Sequence, residues 1–272
     1  MTAEERYLFD LQGYLLVRQA LSVEMLGRLN TTINEMESLT DAEVEAMGIP
    51  RRPTESDTYA RAGISSDSLG DYTCDILKYG AVFEELIDWQ PILSRVDEII
   101  EDSYRLDAAI LMSRHQGGAF RFHHGYAELL PYSEYVCSDA NFSCVSVKIS
   151  YALTDVGVED GCFAVIPGSH KSNFQNPLVG QIPDPDHPLV GPIPSRAGDA
   201  IIFSEDLSHG AVHNRGCRTR RTLFYSYAPA FHCSWDGMAE TASGFQERAP
   251  SRRRELTRVS TPFEEGIASA GL

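Results

Sequence analysis

The chain has 272 residues, 43% of them hydrophobic, with a formal net charge of −16 and a pI near 4.8. That is enough apolar material for one sizeable core. The acidic balance excludes a protein that holds nucleic-acid polymers on a basic stripe, although a local arginine pocket can still take a small anion against the global field. The six cysteines, at 74, 137, 144, 162, 217 and 233, form no CxxC pair, which argues against structural zinc; they read as reduced and mostly buried. No apolar run approaches 18 residues and no charged-then-apolar leader opens the chain, so a soluble cytoplasmic protein without a membrane span is expected.

Thr2 to Leu11 is predicted to be a short helix, with Thr2 as its cap, Glu4 and Glu5 in the first turn and Gly13 ending it. Tyr14-Leu15-Leu16-Val17 is a strand. Ser22 opens a second helix running to Met36, with Met25, Leu26, Leu29 and Ile33 at helical spacing. Residues 39–72 are polar and contain Pro50 and Pro53; they are expected to form a long loop or lid with a short helix near 41–47. Another helix is predicted over 91–104. From about 107 the texture changes to short apolar runs between turn signals, at 108–112, 145–153, 162–166, 200–203 and 223–228. Pro167-Gly168-Ser169 is a sharp turn, and the Pro-rich stretch 177–197 a surface connection. Helices followed by many short strands indicate an α+β protein built on a β-sandwich or barrel. The expectation is one domain over 1–272: a helical part to about 105, a barrel core over 106–232, and a tail over 233–272. The tail charges Arg248, Arg252, Arg253, Arg254, Glu264 and Glu265 read as a solvated face.

Two segments carry chemistry. The first is Phe120-Arg121-Phe122-His123-His124-Gly125. The second is Gly198-Asp199 leading to His209-Gly210, with His209 lying 86 positions after His123. Imidazole suits Fe(II), and non-haem oxygenases hold that ion with two His and one carboxylate on one face, leaving the other positions open. Adjacent strand residues face opposite ways, so His123 and His124 cannot both reach one ion easily. Arg220 follows His209 by eleven residues. A guanidinium fork matches a carboxylate in a bidentate way that Lys does not. Arg221 should point to the opposite face of the strand.

These segments, with the opening Leu8 to Val17, Asp160-Gly161-Cys162, Ile166-Pro167-Gly168-Ser169-His170, Asn214 and Arg220, resemble the phytanoyl-CoA dioxygenase family of Fe(II)/2-oxoglutarate enzymes over most of the chain. The resemblance implies a double-stranded β-helix, a jelly-roll of the cupin kind, with flanking N-terminal helices. It implies His123 and His209 as iron ligands and Arg220 as the partner of the distal carboxylate of 2-oxoglutarate; Ser150, on the strand face of Lys148, is a further candidate cofactor contact. It makes His170 structural.

The departure is Gly125, which stands where the hydroxylases of this family carry Asp or Glu. H-x-G in place of H-x-D resembles the halogenases of the broader superfamily, in which the small residue leaves a coordination position for chloride. The implied reaction consumes O2 and 2-oxoglutarate, gives succinate and CO2, removes a substrate hydrogen and returns chlorine to the carbon. Alternatives stay open: a loop carboxylate (Glu128, Glu134 or Asp139) replacing Gly125 in a hydroxylase, or a family member that has lost iron and acts as a binding protein. Arg114, Arg121 and Lys148 lie near the site, with Lys148, Ser150 and Ala152 on one strand face. An inward cation among them implies an anionic small-molecule substrate. Tyr126 and Phe203, with Phe122 and Tyr151, are candidates to stack on a base. The chain also resembles stand-alone nucleotide halogenases that chlorinate the sugar of a deoxyadenine nucleotide. Residues 39–72 and 126–142 are the candidate lids.

Overall fold

The computed structural model describes residues 1–47, 70–73, 76–100, 103–124, 135–139, 141–230, 232 and 239–258. The chain opens with α1 (Ala3–Gln12), whose ends follow from local chemistry. Thr2 accepts from the Glu5 N–H while Glu5 reaches back to Thr2, a closed capping box, and Gly13 closes the helix at φ +83°. Strand β1 (Tyr14–Val17) and α2 (Val23–Glu37) follow, with Ser22 capping α2 through Met25 N. A short helix α3 (Asp41–Ala46) stands where the polar segment suggested one. The expected loop 39–72 nevertheless ends in a strand, β2 (Gly70–Thr73), paired to β3 (Tyr104–Arg114); residues 48–69 lie outside the described residues. After α4 (Ala81–Glu84), helix α5 covers Gln90–Ile99, shorter than the predicted 91–104, because the chain turns extended at Ile100 and enters β3 at Tyr104.

The remaining strands are β4 (Phe120–His123), β5 (Val136–Ser138), β6 (Asn141–Ser143), β7 (Val147–Ala152), β8 (Phe163–Val165), β9 (Gly191–Ile193), β10 (Ala200–Ser204), β11 (His209–Ala211) and β12 (Arg220–Pro229). They form two main antiparallel sheets of the jelly-roll kind. One is six-stranded in the order β1-β10-β7-β12-β3-β2; the other is four-stranded in the order β4-β11-β8-β9. The stretch expected as a surface connection, 177–197, thus contributes β9. The candidate lid 126–142 ends in the β5–β6 hairpin, where Phe142 packs against Phe9 of α1. Residues 125–134 lie outside the described residues, and with them the loop carboxylates Glu128 and Glu134. Asp139 sits exposed at the hairpin turn.

The main core lies between the helices and the large sheet. Met25, Leu29 and Ile33 of α2 and Ile92, Leu93 and Val96 of α5 pack on Ala109, Leu111, Ile149, Tyr151, Leu223 and Tyr225. Each such side chain contributes about 1.5–3 kcal/mol by leaving water. The buried Tyr225 and Tyr227 hydroxyls donate to the Phe83 and Ile87 carbonyls, so no phenol is left unsatisfied there. Three of the tail arginines are not merely a solvated face, while Arg254 is exposed and Glu264 and Glu265 lie outside the described residues. Arg248 pairs with buried Glu84, Arg253 with Asp88, and Arg252 with Asp97, fastening α6 (Phe245–Arg248) and α7 (Ser251–Leu256) to the helical layer. Cys144 and Cys162 are buried as expected, whereas Cys137 and Cys217 are exposed. Among the described residues no helix is long and apolar enough to cross a membrane.

Candidate active site

The period of two along a strand divides β3, β7 and β12 between a core face and a cavity face. Ala108, Ile110, Met112 and Arg114, then Lys148, then Arg220, Phe224 and Ser226 line a cavity between the two sheets. Ser150 and Ala152 continue the Lys148 face into a small recess shared with Arg220 and Thr222. Arg221 points the other way, as expected, and bonds Asn34 and Glu37 on α2.

His123 ends β4 and His209 begins β11, and the two are register partners. Their ring centroids are 4.1 Å apart, and both line the cavity. The β4–β11 pairing shifts by one residue, from His209↔His123 to Ala211↔Phe120. This bulge brings Phe120 to the cavity along with His123. It needs glycine at 210: a Cβ there would lie 2.6 Å from the Phe120 carbonyl oxygen.

Each imidazole is anchored through Nδ1, His123 to the Arg121 carbonyl at 3.0 Å and His209 to the Leu207 carbonyl at 2.7 Å. A carbonyl only accepts, so Nδ1 carries the proton and Nε2 keeps its lone pair. Burial, then the neighbouring His209, holds His123 well below the usual imidazole range. Burial, then the Lys148 charge, pulls His209 down to about 3. Both rings are neutral at physiological pH, the form that binds a metal ion, and carbonyl-anchored imidazoles are how proteins orient such ligands. The donor set therefore fits Fe(II). Among the described residues no group of three His, Cys, Asp or Glu is assembled. Gly125 and Tyr126 lie outside the described residues.

Arg220 is buried, its Nε donating to Thr222 Oγ1 and its Nη1 to the Gly161 carbonyl at 2.7 Å. Gly161 takes φ +77° and its Cβ would strike the Val212 carbonyl, which explains the glycine after Asp160. Asn214 donates to the Arg114 and Arg218 carbonyls and so braces the start of β12. The Pro-Gly-Ser-His turn also works on the site. Ser169 Oγ accepts the N–H of Ser208, the residue before His209, while His170 is buried against Asp10 and Tyr135 in a structural setting.

Some expected contacts are elsewhere. Arg121 turns out of the cavity, donating to the Gly180 carbonyl, because the β4 bulge aims its neighbours inward instead. Phe203 is fully buried against Phe163 and the edge of His209, so it supports the His209 ring and has no free face for a base. Phe122 and Tyr151 are likewise core. His124 opens onto a separate surface groove. Arg114 is buried on the cavity wall, 5.3 Å over the Phe120 ring. One residue was missed altogether: Glu205, buried just past β10, accepts from Lys148 Nζ at 2.8 Å. An acidic residue following a strand has no local pattern that would have marked it.

The family described as phytanoyl-CoA dioxygenase matches residues 9–222. Among solved structures, HygX from Streptomyces hygroscopicus with nickel and 2-oxoglutarate bound has a TM-score of 0.70 at 22% identity, over 86% of this chain and 90% of HygX. The non-haem α-ketoglutarate-dependent epimerase SnoN from nogalamycin biosynthesis has a TM-score of 0.61 at 16% identity, over 89% of each chain. These two likenesses establish the jelly-roll fold. Among curated relatives, dioxygenase olcK of Penicillium canescens is 31% identical over 127 residues, 47% of this chain and 39% of its own length. The match to that relative thus spans about two-fifths of its length.

Proposed function

Because the chain belongs to the phytanoyl-CoA dioxygenase family, we propose that it is a non-haem Fe(II)/2-oxoglutarate-dependent oxygenase of the halogenating type. One observation carries the reading: His123 and His209 are paired in register with both Nδ1 atoms anchored, and the residue two beyond His123 is Gly125 rather than a carboxylate. His123 and His209 would hold the iron, and Arg220 the distal carboxylate of 2-oxoglutarate, with Ser150 beside it. Gly125 leaves room for chloride. Bound Fe(II), with 2-oxoglutarate and O2, supplies the oxidant that takes a substrate hydrogen; with chloride present, chlorine is returned to the carbon and succinate and CO2 are released.

The chain's own part is to bind, orient and exclude water. The carbonyl anchors fix both imidazoles, and Ile110, Met112, Phe120, Phe163 and Phe224 give the cavity apolar walls that keep water from the reactive centre. The target C–H must be held nearer the halide than the oxygen, which is a matter of positioning. Arg114 and Lys148 on the cavity wall support an anionic small-molecule substrate, with a deoxyadenine nucleotide the first to test. The charge of −16 does not favour docking of an acidic carrier protein.

The test is anaerobic reconstitution with Fe(II) and 2-oxoglutarate, with and without chloride, following the metal-to-2-oxoglutarate charge-transfer band. Oxygen and a metabolite panel that includes deoxynucleotides are then added for mass spectrometry. A chloride-sensitive band and a product with the chlorine isotope pattern are expected. A chloride-insensitive band with products gaining only oxygen makes the protein a hydroxylase. No band at all makes it a protein that has lost its iron.

A further inference from the structure

The cavity lined by His123 and His209 is small, about 50 Å³, which is room for a few waters. The reacting group of a substrate fits there, but the rest of a ring-bearing metabolite must lie outside. The groove onto which His124 opens is far larger, about 690 Å³, within the range of pockets that hold whole small molecules. The two spaces share no lining residue among those described, yet they adjoin. His124 and Ser208 line the groove, and they are the chain neighbours of His123 and His209. The groove therefore lies at the end of the small sheet where both imidazoles stand.

One wall of the groove is the loop 172–177, which presents an aromatic ring to solvent. Phe174 is 85% exposed. A single exposed ring on a surface is ordinary. This one, however, stands on a loop fixed by its own side chains. Ser172 Oγ donates to the Phe174 carbonyl and accepts the Phe174 N–H, and Asn176 Oδ1 accepts the Leu178 N–H. Carboxamides flank the ring on both sides, Asn173 before it and Gln175 and Asn176 after it, and all three line the groove. Asn176 Nδ2 has no hydrogen-bond partner among the described residues, a state that buried amides seldom keep without a use.

A ring between carboxamides suits a flat ligand with apolar faces and with donors and acceptors along its edges. That is the chemistry of a nucleobase. Every base has a π-face to stack on an aromatic side chain, and Asn and Gln match the adenine edge in a bidentate way. An alkyl chain would leave the amides unsatisfied, and a purely ionic ligand would leave the ring unused. Phe203 has no free face for a base, whereas Phe174 has one.

We propose that this groove is a second subsite for the substrate, in which a nucleobase stacks on Phe174 with its edge on the carboxamides of 173–176, while the attached sugar reaches towards His123 and His209. The proposal rests on the nucleotide substrate of the proposed function and adds the residues that read the base. It does not depend on whether the enzyme halogenates or hydroxylates.

The experiment is equilibrium binding by calorimetry to the anaerobic Fe(II)/2-oxoglutarate protein, without chloride. The probes are deoxyadenosine monophosphate and 2-deoxyribose 5-phosphate, the second lacking the base. The wild type should bind the nucleotide about tenfold or more tighter than the sugar phosphate. Phe174→Leu keeps an apolar side chain and removes the ring. It should weaken nucleotide binding about tenfold and leave the sugar phosphate unchanged, and Phe174→Trp should restore the nucleotide affinity. The exposed position makes both variants foldable, which melting temperatures check, and the charge-transfer band should be unmoved in each.

Absence of nucleotide binding, or equal wild-type affinity for the two probes, overturns the proposal. So does a Phe174→Leu variant that binds the nucleotide as the wild type does, or that weakens both probes alike. Tighter binding of a base-free aminoglycoside, lost in Phe174→Leu, would make the groove a sugar site and overturn it too. Each of these outcomes is read without chloride, apart from the chloride dependence that decides the halogenase reading.

Discussion

Arg114 stands directly opposite Arg220 on the β3–β12 ladder, and both side chains are buried in the wall of one cavity. Like charges placed opposite one another on a ladder cost stability, and a dianion bound between the sheets would offset that cost. The Fe(II)-loaded protein should therefore melt at rising temperature as 2-oxoglutarate is added. The gain at a hundredfold excess over Kd is about 2.7 kcal/mol. Arg220→Gln should abolish most of the shift while Arg221→Gln keeps it. Equal shifts in the two variants would remove Arg220 from the cofactor site.

Gly125→Asp tests what the missing carboxylate does. The variant restores a third protein ligand, so chloride should no longer perturb the charge-transfer band, and the chlorinated product should give way to one that has gained oxygen. Product mass spectra decide it. Continued chlorination by Gly125→Asp would show that the halide sits elsewhere.

Gly210→Ala tests the pinch between β4 and β11. The added methyl would press on the Phe120 carbonyl and on Pro183, separating the two strands that hold His123 and His209. Fe(II) affinity, measured by anaerobic titration, should fall about tenfold, within the range seen when the surroundings of metal ligands are disturbed. Unimpaired affinity would mean that the two imidazoles keep their spacing without the close strand approach.

His170 gives a pH dependence with a definite sign. Burial, then Lys171, pulls its pKa to about 4 from an ordinary 6.5, while its Nε2 donates to the Asp10 carbonyl. Below pH 6.5 the unfolded chain takes up a proton that the folded ring refuses, so stability is lost as pH falls from about 6.5 towards 4. From pH 7 to pH 5 this one group accounts for about 2 kcal/mol. Urea midpoints for the wild type and His170→Gln at the two pH values check it: the variant should be less stable at pH 7 but lose less on acidification.

The parts legible in the sequence were those set by neighbours along the chain. Thr2, Gly13 and Ser22 act within four residues of where they sit, and strand alternation sorted Arg220 from Arg221 and put Lys148 with Ser150. The two histidines could be paired only by resemblance, because their meeting depends on β4 and β11 lying side by side across 86 positions of chain. Strands β2 and β9 escaped because a three- or four-residue edge strand containing Gly or Pro has no periodicity to read. Phe203 and Arg121 were misplaced for a related reason. A hydrophobic residue beside a site looks the same whether it faces ligand or supports a ligand's neighbour, and a one-residue bulge reverses the parity of a strand. The tail arginines became visible only against Glu84, Asp88 and Asp97, more than 150 residues upstream.

Strand β1 edges the larger sheet by pairing with β10, and Tyr14 meets Phe203, 189 residues further on. A ribosome therefore releases the first strand of this sheet long before β10, its only strand partner among the described residues, exists. Pairing so remote in sequence forms late, since the loop must close before any contact rewards it. His209 lies just beyond β10, so the second half of the proposed iron site emerges almost together with the strand that β1 awaits. Closing the sheet and bringing His209 beside His123 thus belong to one late stage of folding, and a nascent chain stalled before residue 200 would carry His123 alone, without its register partner and without a finished sheet.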